Sequence, residues 1–182
     1  HLYGLTAEAD KIQDFCSINN ITLIEDAAEA HGQFVGNKQC GSFGLISTMS
    51  FYANKHVTTG EGGLLLTDDV KLKEKADNIR NLGFNSEKRF QHSDLYWNYR
   101  MGGLQAALGI SQLKSLENNI QNKIKQGNYY QSNLSSLREK IQLPMISNNG
   151  SLNHYWVFGV VLRNAERSKV MEALRMDGIQ TR

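Results

Sequence analysis

The stretch of this sequence best suited to covalent chemistry is Asn54-Lys55-His56-Val57-Thr58-Thr59-Gly60-Glu61-Gly62-Gly63. A lysine attacks a carbonyl only as the neutral amine, and desolvation or a nearby cation produces that form near neutral pH. Thr58 and Thr59 supply hydroxyls, while Gly60, Gly62 and Gly63 let backbone approach a ligand closely. Because the lysine precedes its glycines, the segment is not a Walker phosphate loop. A solvated lysine beside a turn is the plainer reading of Lys55. Asp26 is the second candidate. It follows the apolar run Ile21-Thr22-Leu23-Ile24, and the C-terminal end of a buried strand is where open α/β sheets bind ligands. A carboxylate there needs a cationic partner, and a protonated heterocyclic nitrogen is one. The alternative makes Asp26 the cap of a helix starting at Ala27.

The elements that would hold these groups alternate. Ala7 to Asn19 carries Ile12, Phe15 and Ile18 at helical spacing behind Thr6, which predicts an amphipathic helix. Ile21 to Ile24 lacks polar alternation and reads as a strand covered on both faces. A glycine-punctuated passage leads to strands over Ser47–Tyr52 and Gly62–Thr67 and a helix over Val70–Asn81. That order specifies an α/β sheet. From Gly103 onward, Leu104, Ala107, Leu108, Ile110, Leu113, Leu116 and Ile120 trace an apolar stripe, with a break expected near Gly127 and a further helix over Tyr129–Lys140 before Pro144. Tyr155–Leu162 reads as a strand, and Glu166–Met176 as a helix stopped by Gly178. A domain boundary falls between residues 118 and 128.

With 182 residues, 40% of them hydrophobic, the chain can bury a real core. A net charge of +2 without basic runs argues against nucleic acid or an anionic membrane as partner. Cys16 and Cys40 have no metal-ligand spacing, which leaves no metal expected and points to a reducing, cytoplasmic setting with both thiols as apolar fillers. No apolar run is long enough to span a membrane. The chain does not begin with Met and reads as the middle of a longer polypeptide.

Taken in order, Glu25-Asp26-Ala27-Ala28-Glu29-Ala30-His31-Gly32, Ser50-Phe51-Tyr52-Ala53-Asn54-Lys55, Thr58-Thr59-Gly60-Glu61-Gly62-Gly63, Asn98-Tyr99-Arg100-Met101 and Leu104-Gln105-Ala106-Ala107-Leu108-Gly109 closely resemble the DegT/DnrJ/EryC1/StrS family of sugar aminotransferases, and most of all its perosamine synthase-like branch. The resemblance covers nearly the whole chain. It implies an α/β fold of the fold type I, aspartate aminotransferase-like class, dependent on pyridoxal 5'-phosphate (PLP): a mostly parallel sheet flanked by helices, then the start of a smaller C-terminal α+β domain. Residues 1–122 would belong to the large cofactor-binding domain and residues 123–182 to the small one. Lys55 matches the catalytic lysine that bonds the cofactor and shuttles protons. Asp26 matches the carboxylate on the pyridinium nitrogen, and Glu29, often Gln in the family, lies near the phenolic oxygen. Ser50 matches a phosphate-binding serine, and Asn98 an asparagine that reaches the phosphate of the neighbouring subunit in a homodimer.

The implied reaction moves an amino group from an amino acid, glutamate, to a nucleotide-linked 4-keto-6-deoxy sugar. Two alternatives stay open: a non-catalytic cofactor-binding regulator, and a C3-dehydratase, since one branch of the family has histidine in place of the lysine. Counting from Ser50, Lys55 and not His56 falls on that position, which favours amination. His31, His56 and His154 read as structural, Arg80 and Arg100 as surface ion pairs or anion binders, and Tyr96, Trp97 and Tyr99 as interface or ordinary packing. Leu45 and Leu82 depart from the family, which often has Asp and His there.

Overall fold

Lys55 and Asp26 are held by a three-stranded sheet whose strands follow the alternation in the sequence. The computed structural model describes residues 1–84, 90–92 and 94–182. β1 (Ile24–Asp26) and the central strand β4 (Ile46–Ser50) are parallel, with Asp26 opposite Thr48, and β5 (Gly63–Leu66) returns antiparallel to β4, with Gly63 opposite Ser50. Between β1 and β4 a small hairpin, β2 (Phe34–Val35) and β3 (Lys38–Gln39), occupies the glycine-rich passage. The first helix, α1 (Ala9–Ile18), forms as its periodicity predicts, but it buries Ala9 and Cys16 and leaves Phe15 and Ile18 largely exposed. α2 (Val70–Arg80) starts at Asp69, whose carboxylate accepts the Leu72 amide at 2.9 Å, a side-chain cap for a first-turn donor.

β1 differs from expectation in register and in burial. It lies three residues later, Ile21 and Ile24 are exposed, and the side chain turned inward is that of Glu25. This buried carboxylate accepts the amides of Gly41 (2.6 Å) and Phe43 (2.7 Å), the Ser47 hydroxyl (2.9 Å) and the His1 ring (2.9 Å). A buried charge persists when donors replace its lost water, and Glu25 thereby ties the 41–47 loop and the strand behind it to β1. Next to it, Ala27, Ala30, Val35, Cys40 and Phe43 form the core with Ala9, backed by Leu23 and Met49. Cys16 and Cys40 are both buried and unbridged, and burial together with Glu25 pushes the Cys40 thiol up to about 12.

Two helices follow, and the break between them is not where glycine suggested. α3 (Gly103–Lys114) ends at Ser115, and α4 (Leu116–Asn133) runs through Gly127 without interruption. Glycine inside a helix costs about 1 kcal/mol relative to alanine. Here its bare backbone is the seat for the Tyr155 ring, which a Cβ at Gly127 would overlap. The apolar stripe divides accordingly: Ile120 is buried, whereas Leu104, Ile110 and Leu113 are exposed and α3 buries only Gly109, against Thr59. The expected helix over Tyr129–Lys140 reduces to the end of α4 and one 3-10 turn, Ser135–Leu137.

The last fifty residues hold short strands, β6 (Ile141–Gln142) paired with β9 (Val161–Leu162) and the hairpin β7 (Ser147–Asn148) and β8 (Ser151–Leu152), followed by α5 (Arg167–Met176). Of the strand expected over Tyr155–Leu162, only Val161–Leu162 pairs. Tyr155 has φ +48°, which turns the chain out of extended geometry and delivers its ring to Gly127. α4 therefore crosses residues 122 and 123 as one rod, anchored to the first segment by Asn119, which donates to the His56 carbonyl (3.0 Å), and to the last by Gln131, which donates to the Pro144 carbonyl (2.6 Å). Among the described residues no helix is long and apolar enough to cross a membrane.

Candidate active site

Parallel pairing of β1 with β4 brings Asp26 and Ser50 to the same, C-terminal end of neighbouring strands, and the loop leaving β4 carries Lys55 back over that end. Asp26 is exposed. Its Oδ1 accepts the Ala28 amide (3.0 Å), an Asx turn that leads into further turns and not into a helix, so the helix-cap reading of this residue does not hold. The Ser50 hydroxyl accepts the Tyr52 amide at 3.2 Å.

Lys55 is no surface lysine. Its side chain is 7% exposed and its Nζ lies 3.7 Å from Glu29 Oε1. Burial lowers its pKa, against the opposing pull of Glu29 and then of Asp26, and the balance favours the neutral amine more than in water. Glu29 is fixed in turn by the Tyr3 amide, which donates to Oε2 at 2.6 Å. Lys55, Glu29 and Asp26 thus form one electrostatic group with Ser50 on the adjoining strand end. Asn98 is elsewhere: exposed, it accepts from the Arg100 backbone (3.3 Å) and guanidinium (3.1 Å), and Arg100 also reaches Asn81 (3.3 Å). Arg80 makes an exposed ion pair with Asp77 at 3.1 Å.

The threonines and glycines after Lys55 have a structural employment. Thr59 Oγ1 donates to the Glu61 carbonyl (2.6 Å), Thr58 Oγ1 donates to that of Phe51 (3.2 Å), and the Gly60 amide donates to Thr58 Oγ1 (2.9 Å). These bonds fold the loop on itself and fix where Lys55 emerges.

Sequence reasoning missed the third wall of the site. Trp156 lies with its ring centre 3.5 Å from Lys55 Nζ, and its Nε1 donates to the Asn54 carbonyl at 2.9 Å. Nothing in local spacing announces a contact between residues 101 positions apart.

Behind the lysine lie three histidines from distant segments. His31 and His56, and His56 and His154, meet edge to face at 6.3 Å between centroids, and Phe51 stacks on His31 at 6.0 Å. His56 Nε2 meets the His154 carbonyl (3.2 Å) and His154 Nδ1 that of His31 (3.3 Å). Burial lowers the pKa of all three, first among the causes, and brings His31 and His56 to about 4. The folded state therefore keeps the His31 and His56 rings neutral while the unfolded chain takes up protons below pH 6.5. Their contribution to stability is complete above pH 6.5 and is lost as pH falls towards about 4. Urea unfolding at pH 7, 5 and 4 should show a loss of up to about 3 kcal/mol per ring, and His31→Phe should flatten that slope.

The family model described as "DegT/DnrJ/EryC1/StrS aminotransferase family" matches residues 1–182. GDP-perosamine synthase of Vibrio cholerae is 33% identical over 185 residues, covering 100% of this chain and 50% of that protein. Among solved structures, Helicobacter pylori PseC, an aminotransferase involved in the biosynthesis of pseudoaminic acid, superposes with a TM-score of 0.88 at 25% identity, covering 97% of this chain and 48% of the other. An E. coli GDP-4-keto-6-deoxy-D-mannose-3-dehydratase with bound hydrated PLP gives a TM-score of 0.87 at 24% identity, over 100% and 51%. The chain spans about half the length of the curated relative.

Proposed function

The chain belongs to the DegT/DnrJ/EryC1/StrS aminotransferase family, and from that premise we propose that it contributes to a PLP-dependent transfer of an amino group to a nucleotide-linked 4-keto-6-deoxy sugar, with glutamate as donor. One observation carries this reading: the amine of Lys55 is buried, its pKa lowered, among carboxylates at the C-terminal end of a parallel strand pair. A desolvated lysine is costly in a purely structural role and useful as a nucleophile.

The donor set fits the cofactor in kind. An amine, an exposed carboxylate and a hydroxyl are the groups that an aldehyde, a pyridinium nitrogen and a phosphate respectively require. PLP, when bound, supplies an aldehyde carbon for the amine and a ring that withdraws electrons from the carbon bearing nitrogen. Lys55 would hold that carbon and would move the proton at the substrate carbon. Asp26 would keep the ring nitrogen protonated, Ser50 would bind the phosphate, Glu29 would serve the phenolic oxygen, and Asn98 would serve the cofactor of a second subunit in a homodimer. Residues 1–122 act as part of the cofactor-binding domain and residues 123–182 as part of a small domain, with α4 joining them.

The competing chemistry is C3 dehydration, in which histidine stands where Lys55 does. The orientation of His56 weighs against it, because that ring is engaged with the His154 carbonyl while Lys55 faces Glu29. The deciding experiment supplies the purified protein with PLP, glutamate and a nucleotide-linked 4-keto-6-deoxy sugar. 2-Oxoglutarate and amino sugar should appear together, each dependent on the other substrate; deoxygenation at C3 without amination would refute the assignment. Asp26→Asn is expected to retain the cofactor on Lys55 but to lower turnover by about a hundredfold or more.

A further inference from the structure

Lys55 is berthed on more than one side. Its Nζ lies 3.5 Å from the Trp156 ring centre and 3.7 Å from Glu29 Oε1. Tyr3 closes the figure: its amide holds Glu29 Oε2 at 2.6 Å and its ring packs on Trp156 at 6.4 Å. Four segments far apart in sequence therefore meet around one amine. Trp156 is pinned independently, since its Nε1 donates to the carbonyl of Asn54, the residue before the lysine. The turn carrying Tyr3 is pressed against it as well. The His154 amide donates to the Gly4 carbonyl (2.8 Å), and a Cβ on Gly4, at φ +90°, would strike the Trp156 and Tyr155 amide nitrogens at 2.5 and 2.7 Å. This close approach admits glycine alone.

An indole face attracts a cation through its quadrupole and has no comparable hold on a neutral amine. We propose that Trp156 is a positioning residue for Lys55, parking its ammonium against Glu29 in the cofactor-free protein and releasing it when its proton passes to solvent. The surroundings balance such a switch. Glu29 and Asp26 favour the charged amine, burial favours the neutral one, and His31 and His56, the other titratable groups facing it, are uncharged near pH 7 because burial brings them to about 4. The functional meaning of the berth rests on Lys55 being the reactive amine proposed above; the contact itself does not.

The test uses cofactor-free protein. The chain has two tryptophans, so Trp97→Phe leaves Trp156 as sole indole reporter. Its emission should change in one step as Lys55 loses its charge with rising pH, and the step should vanish in Lys55→Met. Acetylation of Lys55 by acetic anhydride, followed by peptide mass across pH, reads the same event chemically. In Trp156→Leu its midpoint should fall by about one pH unit, a tenfold change, with Trp156→Phe in between because a weaker ring remains. A step that survives Lys55→Met, or a midpoint in Trp156→Leu and Trp156→Phe equal to that of the parent with far-UV dichroism unchanged, overturns the proposal. If the midpoint shifts as expected but PLP never attaches to Lys55, the berth stands and the aminotransferase reading fails; attachment without the shift has the opposite meaning.

Discussion

Lys55→Ala is expected to abolish covalent retention of PLP and to reduce amino transfer by on the order of a thousandfold or more. Borohydride treatment of the cofactor-supplied parent should add the mass of the reduced cofactor to the peptide containing Lys55, and the variant should gain nothing. In the proposed role two tasks rest on one amine, binding the aldehyde carbon and moving a proton, and among the described residues His56, its sequence neighbour, is no substitute. His56 is adjacent in sequence, but its Nε2 is spent on the His154 carbonyl and its ring stays neutral down to about pH 4. Lys55→Met, which keeps the stem packed under Trp156, should lose as much; a variant of either kind that still turned over would mean the amine is not the nucleophile.

The second large effect belongs to the acid one residue before Asp26. Glu25→Ala should destabilise the fold by about 3–5 kcal/mol, because it leaves the Gly41 and Phe43 amides, the Ser47 hydroxyl and the His1 ring without their common acceptor. Against a typical total of about 5–15 kcal/mol, that brings the chain close to unfolding at room temperature. Glu25→Gln keeps the volume but turns an amide's hydrogens towards donors, so it should cost about 1–3 kcal/mol. Asp26→Asn is the control: Asp26 is exposed, its amide oxygen can still accept from Ala28, and the urea midpoint should barely move. Neighbouring acids would then be separated, one holding the loop and the other available to a ligand.

What could be read from the residues beforehand follows from how local each signal is. α2, β4 and β5 lie within a few residues of their expected limits because periodicity and the Asp69 cap are properties of adjacent positions. The family order of motifs singled out Lys55, Asp26, Glu29 and Ser50, and three of these share one electrostatic group beside the strand end that carries the fourth. Glu25 was indistinguishable from Asp26 in composition; only strand register decides which of two successive side chains points inward. Gly127 was misread because a glycine that breaks a helix and one that admits a ring look the same until Tyr155 is in place. Trp156 and the meeting of His31, His56 and His154 depend on long-range packing, which leaves no trace in short spacing.

The unbroken course of α4 has a mechanical consequence. Between Asn119, which grips the His56 carbonyl, and Gln131, which grips that of Pro144, the helix spans about 18 Å with every turn hydrogen-bonded. A strut of this length passes displacement on instead of absorbing it. Slippage of the Tyr155 ring by one residue along the rod would shift its load by about 1.5 Å, and the other end of the strut grips the peptide unit next to Lys55 in sequence.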